Sequence, residues 1–216
     1  MHSIWQYHHR QLILISGLKN KNTVKEILKE KLYCYVDETG QDTIGKFFIV
    51  SVVVSGETRE TLAKLLEQIE KDSHKGKAKW IHARSSEQLS YMKAVLSEPL
   101  FKQKLRFSFY QQTKAYTALT ILSTARAIHA VAVHNRAVSV YVDGLPQSRV
   151  LWFGVELRHL GVRVSKVVGV RREESSSLIR LADACCGFVR QALVGNNAKT
   201  KELFEHALKE GYLKEL

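Results

Sequence analysis

The sequence predicts a mixed α/β domain built on one sheet, antiparallel in its first strands, parallel in its later ones, and flanked by helices. Two apolar, β-branched runs at 32–37 and 47–54 flank a short polar turn, the signature of a hairpin of buried strands. From 105 onward, short strand patterns alternate with longer segments of helical spacing, which is how parallel strands joined by crossovers read. At 216 residues and 45% hydrophobic content, the chain is long enough to bury a substantial core in one domain.

Residues 1–31 are set apart as an N-terminal extension, expected to be a short helix, an interaction arm or a partly disordered segment. They carry an apolar Leu12-Ile13-Leu14-Ile15 run and end in a Lys-rich amphipathic stretch over 23–31. The domain proper spans 32–216. Its first strand runs to Asp37, a turn follows at 39–42, and the second strand covers 47–54. Leu62, Leu65, Leu66 and Ile69 fall at helical spacing within 57–71, and a Lys-rich loop over 72–79 ends that helix. A second helix is expected over 86–96, a third strand over 105–110 and a long helix over 115–133. Val138-Ser139-Val140-Tyr141-Val142-Asp143 reads as the fourth strand, broken by Gly144 and Pro146. A helix over 146–160, a strand over 162–170, a helix over 177–193 with serines available as its N-cap, and a surface helix over 199–208 complete the order.

The formal net charge of +12, spread over most of the chain, gives a long-range field that attracts polyanions, and nucleic acid is the natural partner. No run of 18 apolar residues occurs and the N-terminus lacks the pattern of a secretory signal, so a soluble, cytoplasmic protein without a membrane partner is expected. Cys34, Cys185 and Cys186 have no metal-ligand spacing, and adjacent helical positions point about 100° apart, so the three read as reduced, packed thiols. His129 and His134 are five apart, which does not place a zinc-binding pair on one helix face.

The chemistry is concentrated in carboxylates. Asp37 and Glu38 close a buried strand, where a desolvated anion costs several kcal/mol unless a cation answers it. Asp143 closes another. If their strands are parallel neighbours, ~4.8 Å apart, Asp37 and Asp143 converge and repel unless a cation lies between them. Mg²⁺ or Mn²⁺ suits such oxygen ligands. Glu38 should point to the opposite face if the strand continues. Asp183 has Ile179, Cys186 and Gly187 as its helical neighbours, so it pairs, caps or binds metal; Arg180 and Arg190 are its possible ion-pair partners. Ala182 and Gly187 are expected to let this helix approach the sheet closely.

Tyr35-Val36-Asp37-Glu38-Thr39-Gly40 resembles the Asp-Glu-Ser-Gly opening of the bacterial family called domain of unknown function 3800, and Ile179-Arg180-Leu181-Ala182-Asp183 resembles its late Leu-Gln-Leu-Ala-Asp motif. The resemblance covers roughly 32–194. It implies a ribonuclease H-like fold with carboxylates on the first strand, at the end of the fourth and on a late helix, the places held by Asp37, Asp143 and Asp183. It also implies a metal-dependent nuclease. Thr39 stands where the family has Ser and keeps the hydroxyl; Arg180 replaces a neutral Gln and is expected to contact phosphate or to pair with Asp183. Lys79-Trp80-Ile81-His82 is the counterpart of a polar motif after the first helix, with Lys79 and His82 as auxiliary residues. Glu173 and Glu174 are further candidate ligands.

The expected activity is phosphodiester hydrolysis by a two-metal-ion mechanism, with Asp37 bridging two Mg²⁺ or Mn²⁺ ions, Asp143 and Asp183 each completing one site, and Glu38 assisting. Lys77, Lys79, Arg84, Arg171 and Arg172 flank the site in sequence order and are the expected substrate contacts for DNA or RNA. The alternative is a catalytically inactive nucleic-acid-binding or interaction module on the same fold, with residues 1–31 serving a homodimer or a partner protein.

Overall fold

A computed structural model describes residues 31–131, 136–171 and 175–216. The extension up to residue 30, the end of the expected helix over 115–133, His134, and the candidate residues Arg172, Glu173 and Glu174 lie outside the described residues.

Strand β1 is Leu32–Thr39 and β2 is Phe47–Ser55. The turn between them depends on Gly40, whose φ of 109° belongs to glycine and whose Cβ position would lie 2.5 Å from the Phe47 carbonyl oxygen. Helices α1 (Arg59–Asp72) and α2 (Ser85–Val95) precede β3 (Leu105–Gln111); α3 (Tyr116–His129), β4 (Val138–Asp143), α4 (Gln147–His159), β5 (Val164–Val170), α5 (Ser177–Val194) and α6 (Ala198–Lys209) follow. A sixth strand, β6 (Leu213–Glu215), was not expected from the sequence. The sheet runs β5-β4-β1-β2-β3-β6. β2 is antiparallel to β1 and β3, whereas β4 pairs in parallel with both β1 and β5, so the mixed sheet takes the expected form.

The period-two alternation of β1 sends its residues into two cores. Tyr35 faces the layer made by α1, α2, α5 and α6, with Leu62, Leu66, Tyr91, Leu181 and Phe188 fully enclosed. Cys34 and Val36 face the layer containing Ile121, Ile128, Phe153 and Leu157 of α3 and α4. α5 is capped by the Ser176 hydroxyl, which accepts from the Ile179 N–H, and is seated on the sheet by Ser51, whose hydroxyl donates to the Ala182 carbonyl at 2.6 Å. Cys34, Cys185 and Cys186 are buried free thiols. Among the described residues no helix is long and apolar enough to cross a membrane.

Candidate functional site

β1 and β4 are paired in parallel in the register Tyr35↔Tyr141 and Val36↔Val142. Tyr35 and Tyr141 stack on one face, ring centroids 5.2 Å apart, and the next residues on that face are Asp37 and Asp143. α5 crosses the same face and brings Asp183 to it. The Cys186 thiol, one turn along α5, donates to the Asp37 carbonyl at 3.2 Å. Asp37, Asp143 and Asp183 therefore share one end of the sheet, where strand termini and a helix leave an open cleft.

The electrostatics follow from that crowding. Burial pushes the Asp37 carboxyl well above its ordinary pKa, and the charges of Asp183 and Asp143 push it further. Burial also raises Asp183, although the Trp80 N–H donates to its Oδ2 at 2.7 Å and favours the charged form. Glu38 sits on the opposite face, where the Thr120 hydroxyl donates to it at 3.2 Å. Burial, with a contribution from Asp143, raises its pKa to about 6 against the hydrogen bond. Two lysines answer this charge among the described residues: the Lys79 ammonium lies 3.0 Å from Asp143 Oδ2, and the charge of Lys75 acts on Asp183.

Among the described residues, no three His, Cys, Asp or Glu side chains stand ready-made to hold a metal ion. The donor set nevertheless fits a hard divalent cation, because its ligands are carboxylate oxygens, and burial together with the charges of Asp183 and Asp143 already holds Asp37 toward the protonated form. Lys79 holds one of those oxygens as the site stands.

Three openings border these residues. A cleft of about 610 Å³ is lined by Asp37, Glu38 and Asp183 together with Phe47, Ile81 and Arg190. On the far side of Lys79, a cavity of about 430 Å³ is lined by Lys77, Lys79, His82, Asp143 and Arg180. Arg171 shares a third hollow, of about 410 Å³, with Lys79 and Asp143. Arg84 stands apart at the start of α2, its side chain exposed and 3.7 Å from Glu87.

The ion pairs proposed for Asp183 do not form. Arg180 turns the other way into a bidentate pair with Glu70 of α1, at 2.7 Å from both Nε and Nη2, and its Nη1 donates to the Ser175 carbonyl. Nε, Nη1 and Nη2 each make one such bond, so Arg180 does not pair with Asp183, although it still borders the cavity beside Asp143. Arg190 pairs with Asp42 at 2.8 Å. Gly187 does not serve close approach to the sheet: a Cβ there would lie 2.0 Å from Trp80 Cδ1, so its bare face receives the indole.

Sequence reasoning missed the clamp that holds Trp80. Its N–H donates to Asp183, its carbonyl accepts from Gln88 Nε2 at 2.6 Å, and Gln191 Nε2 donates to Gln88 Oε1 at 2.9 Å. The backbone groups of Trp80 leave no trace in sequence. Glu70 did leave one, since with Leu62 and Leu66 it completes an i, i+4, i+8 stripe and puts a charge inside an apolar face.

The strand order is that of the ribonuclease H-like fold that the sequence resemblance implies. No family model and no curated protein matches the chain. Among solved structures, a chain in the structure of the PCNA:RNase HII complex from Archaeoglobus fulgidus is similar, with a TM-score of 0.47 and 14% identity over 84% of this chain and 90% of that one. The ribonuclease H2 from Pyrococcus horikoshii gives 0.49 and 13% over 82% and 87%. At this distance the likeness concerns the course of the chain alone.

Proposed function

We propose that this protein is a metal-dependent nuclease of the domain of unknown function 3800 family, hydrolysing phosphodiester bonds with Mg²⁺ or Mn²⁺. The observation that carries the reading is the convergence of Asp37, Asp143 and Asp183 at one strand end, where burial holds the carboxyls of Asp37 and Asp183 above their ordinary pKa even with Lys79 on Asp143 and Lys75 near Asp183. The motif Tyr35 to Gly40 supports the family assignment, as does the segment from Ile179 to Asp183.

Asp37, between the other two in the site, would be shared by two ions, with Asp143 and Asp183 each serving one. Such ions supply Lewis acidity, activate water and neutralise charge developing on the phosphate. The chain's own groups do the rest. Glu38, titrating at about 6, is suited to take a proton near neutral pH. Asp183 is fixed by the Trp80 N–H, and so is the start of the Trp80–His82 turn that carries His82 to the cavity beside Asp143. Lys77 and Arg171 line the two hollows on the Asp143 side and give the polymer a basic approach. DNA and RNA are both candidates.

The Lys79–Asp143 contact favours one second reading, a nucleic-acid-binding module whose internal ammonium has replaced the metal. Incubation with labelled DNA and RNA separates the two. The nuclease reading expects cleavage that requires Mg²⁺ or Mn²⁺, stops with EDTA and is lost in Asp37→Asn. Salt-sensitive binding without cleavage supports the module instead.

A further inference from the structure

Lys79 occupies an unusual position for a surface lysine. Its side chain is 45% exposed while that of its partner Asp143 is 10% exposed, so the carboxylate is fixed and the ammonium is free to leave. Burial disfavours its charge, but the hydrogen bond and charge of Asp143, with Asp37 and Asp183 behind it, outweigh that and hold the ammonium protonated. The Lys79 charge thus acts on all three carboxylates, with Lys75 also acting on Asp183.

The backbone around Lys79 is pinned. On one side the buried Lys75 ammonium donates to the Ala78 carbonyl at 2.8 Å; on the other the Trp80 N–H is held by Asp183. What remains mobile is the lysine stem itself. It lies on the boundary of two open hollows, one lined by Lys77 and His82 and the other by Gly144, Gln147 and Arg171. Both hollows carry positive charge, and among the described residues neither is lined by a carboxylate other than Asp143.

From this geometry we propose that Lys79 exchanges partners: its ammonium neutralises Asp143 when no divalent cation is bound, and turns to a phosphate oxygen of the nucleic acid when a cation takes that carboxylate. The exchange rests on the nuclease reading. Its physical basis is charge balance. A dication held by Asp143 would compete with the ammonium for the oxygen that it now contacts at 3.0 Å, and the incoming phosphodiester would supply a replacement anion for a flexible four-carbon stem. Coupling cation entry to phosphate capture in this way disfavours a divalent ion at the site without substrate, and favours it once the polymer is present.

Exchange makes two effects of opposite sign from one substitution, which a purely structural lysine would not produce. In Lys79→Met the cation no longer competes with an ammonium, so Mn²⁺ binding measured by titration calorimetry tightens by about 5- to 10-fold, the range expected for loss of one partly exposed competing charge. The same variant loses a phosphate contact. With Ca²⁺ bound, its affinity for a labelled single-stranded oligonucleotide falls, and the slope of log affinity against log salt becomes shallower by about 0.7. Lys79→Arg, which keeps the charge, retains the wild-type slope. Mn²⁺ binding that is unchanged or weaker in Lys79→Met overturns the competition, and an unchanged salt slope overturns the phosphate half. If neither wild type nor Lys79→Met binds Mn²⁺, the nuclease reading falls first and the exchange with it. Binding by both at equal affinity removes the exchange alone.

Discussion

The Glu70–Arg180 pair joins α1 to the first turn of α5, one turn before Asp183, and its removal tests whether Arg180 is a structural or a substrate-facing group. Glu70 is 2% exposed and Arg180 8%, with both carboxylate oxygens 2.7 Å from guanidinium nitrogens. Glu70→Leu leaves a buried guanidinium with two donors unanswered, which costs about 3–5 kcal/mol, a large part of the ~5–15 kcal/mol that holds an ordinary domain together. Glu70→Leu combined with Arg180→Met removes both charges and both desolvation costs, and should lie within about 1 kcal/mol of wild type. Urea denaturation of the two single variants and the double variant then gives a coupling energy of about 3 kcal/mol or more. Additive effects, or a Glu70→Leu variant less than about 1 kcal/mol below wild type, would refute the structural role. In that event Arg180→Met should instead weaken nucleic-acid binding at full stability.

Three further predictions test other parts of the account. Asp37, Glu38 and Asp183 all have raised pKa values in the fold, so without divalent ions the stability they contribute is fully present below their unfolded pKa values of about 4 and is lost as pH rises through the folded ones. Glu38, at about 6, contributes about 2 kcal/mol of that fall, and Glu38→Gln should flatten denaturation midpoints between pH 4.5 and 7.5; a wild type that is more stable at the higher pH would contradict this. Gly187→Ala drives a methyl group into the Trp80 indole and should cost about 1–3 kcal/mol, offset by no more than about 1 kcal/mol of helix propensity, so a midpoint above that of wild type rules out the clamp packing. Arg106 is 4% exposed with its Nε and Nη1 unpartnered among the described residues, and Arg106→Met should raise stability by about 1–3 kcal/mol in the same denaturation series; a loss would show that the guanidinium has a partner.

Much of this architecture is legible in the chain because its signals are periodic. The alternation in β1 specified which face each residue takes, and it correctly separated Asp37 from Glu38. The fourth strand and the α5 pattern were equally plain, and with them the order of the three aspartates. β6 has only three residues, too few for a period, and exists because the free edge of β3 accepts Leu213, Lys214 and Glu215 in parallel register. The charge pairings were the least legible part. Lys79 meets Asp143 across 64 residues of chain, and the expected partners of Asp183 went to Glu70 and Asp42 instead. In each case the choice was made by tertiary placement: α1 presents Glu70 to α5 inside the core, where a guanidinium needs a carboxylate more than an aspartate at an open cleft needs a cation.

The measurement that bears most directly on the central claim is anomalous scattering from crystals soaked in Mn²⁺. The account predicts a manganese peak among the carboxylates of Asp37, Asp143 and Asp183, with the Lys79 ammonium displaced from Asp143. A fully soaked crystal with no peak there, and with Lys79 still on Asp143, would contradict it.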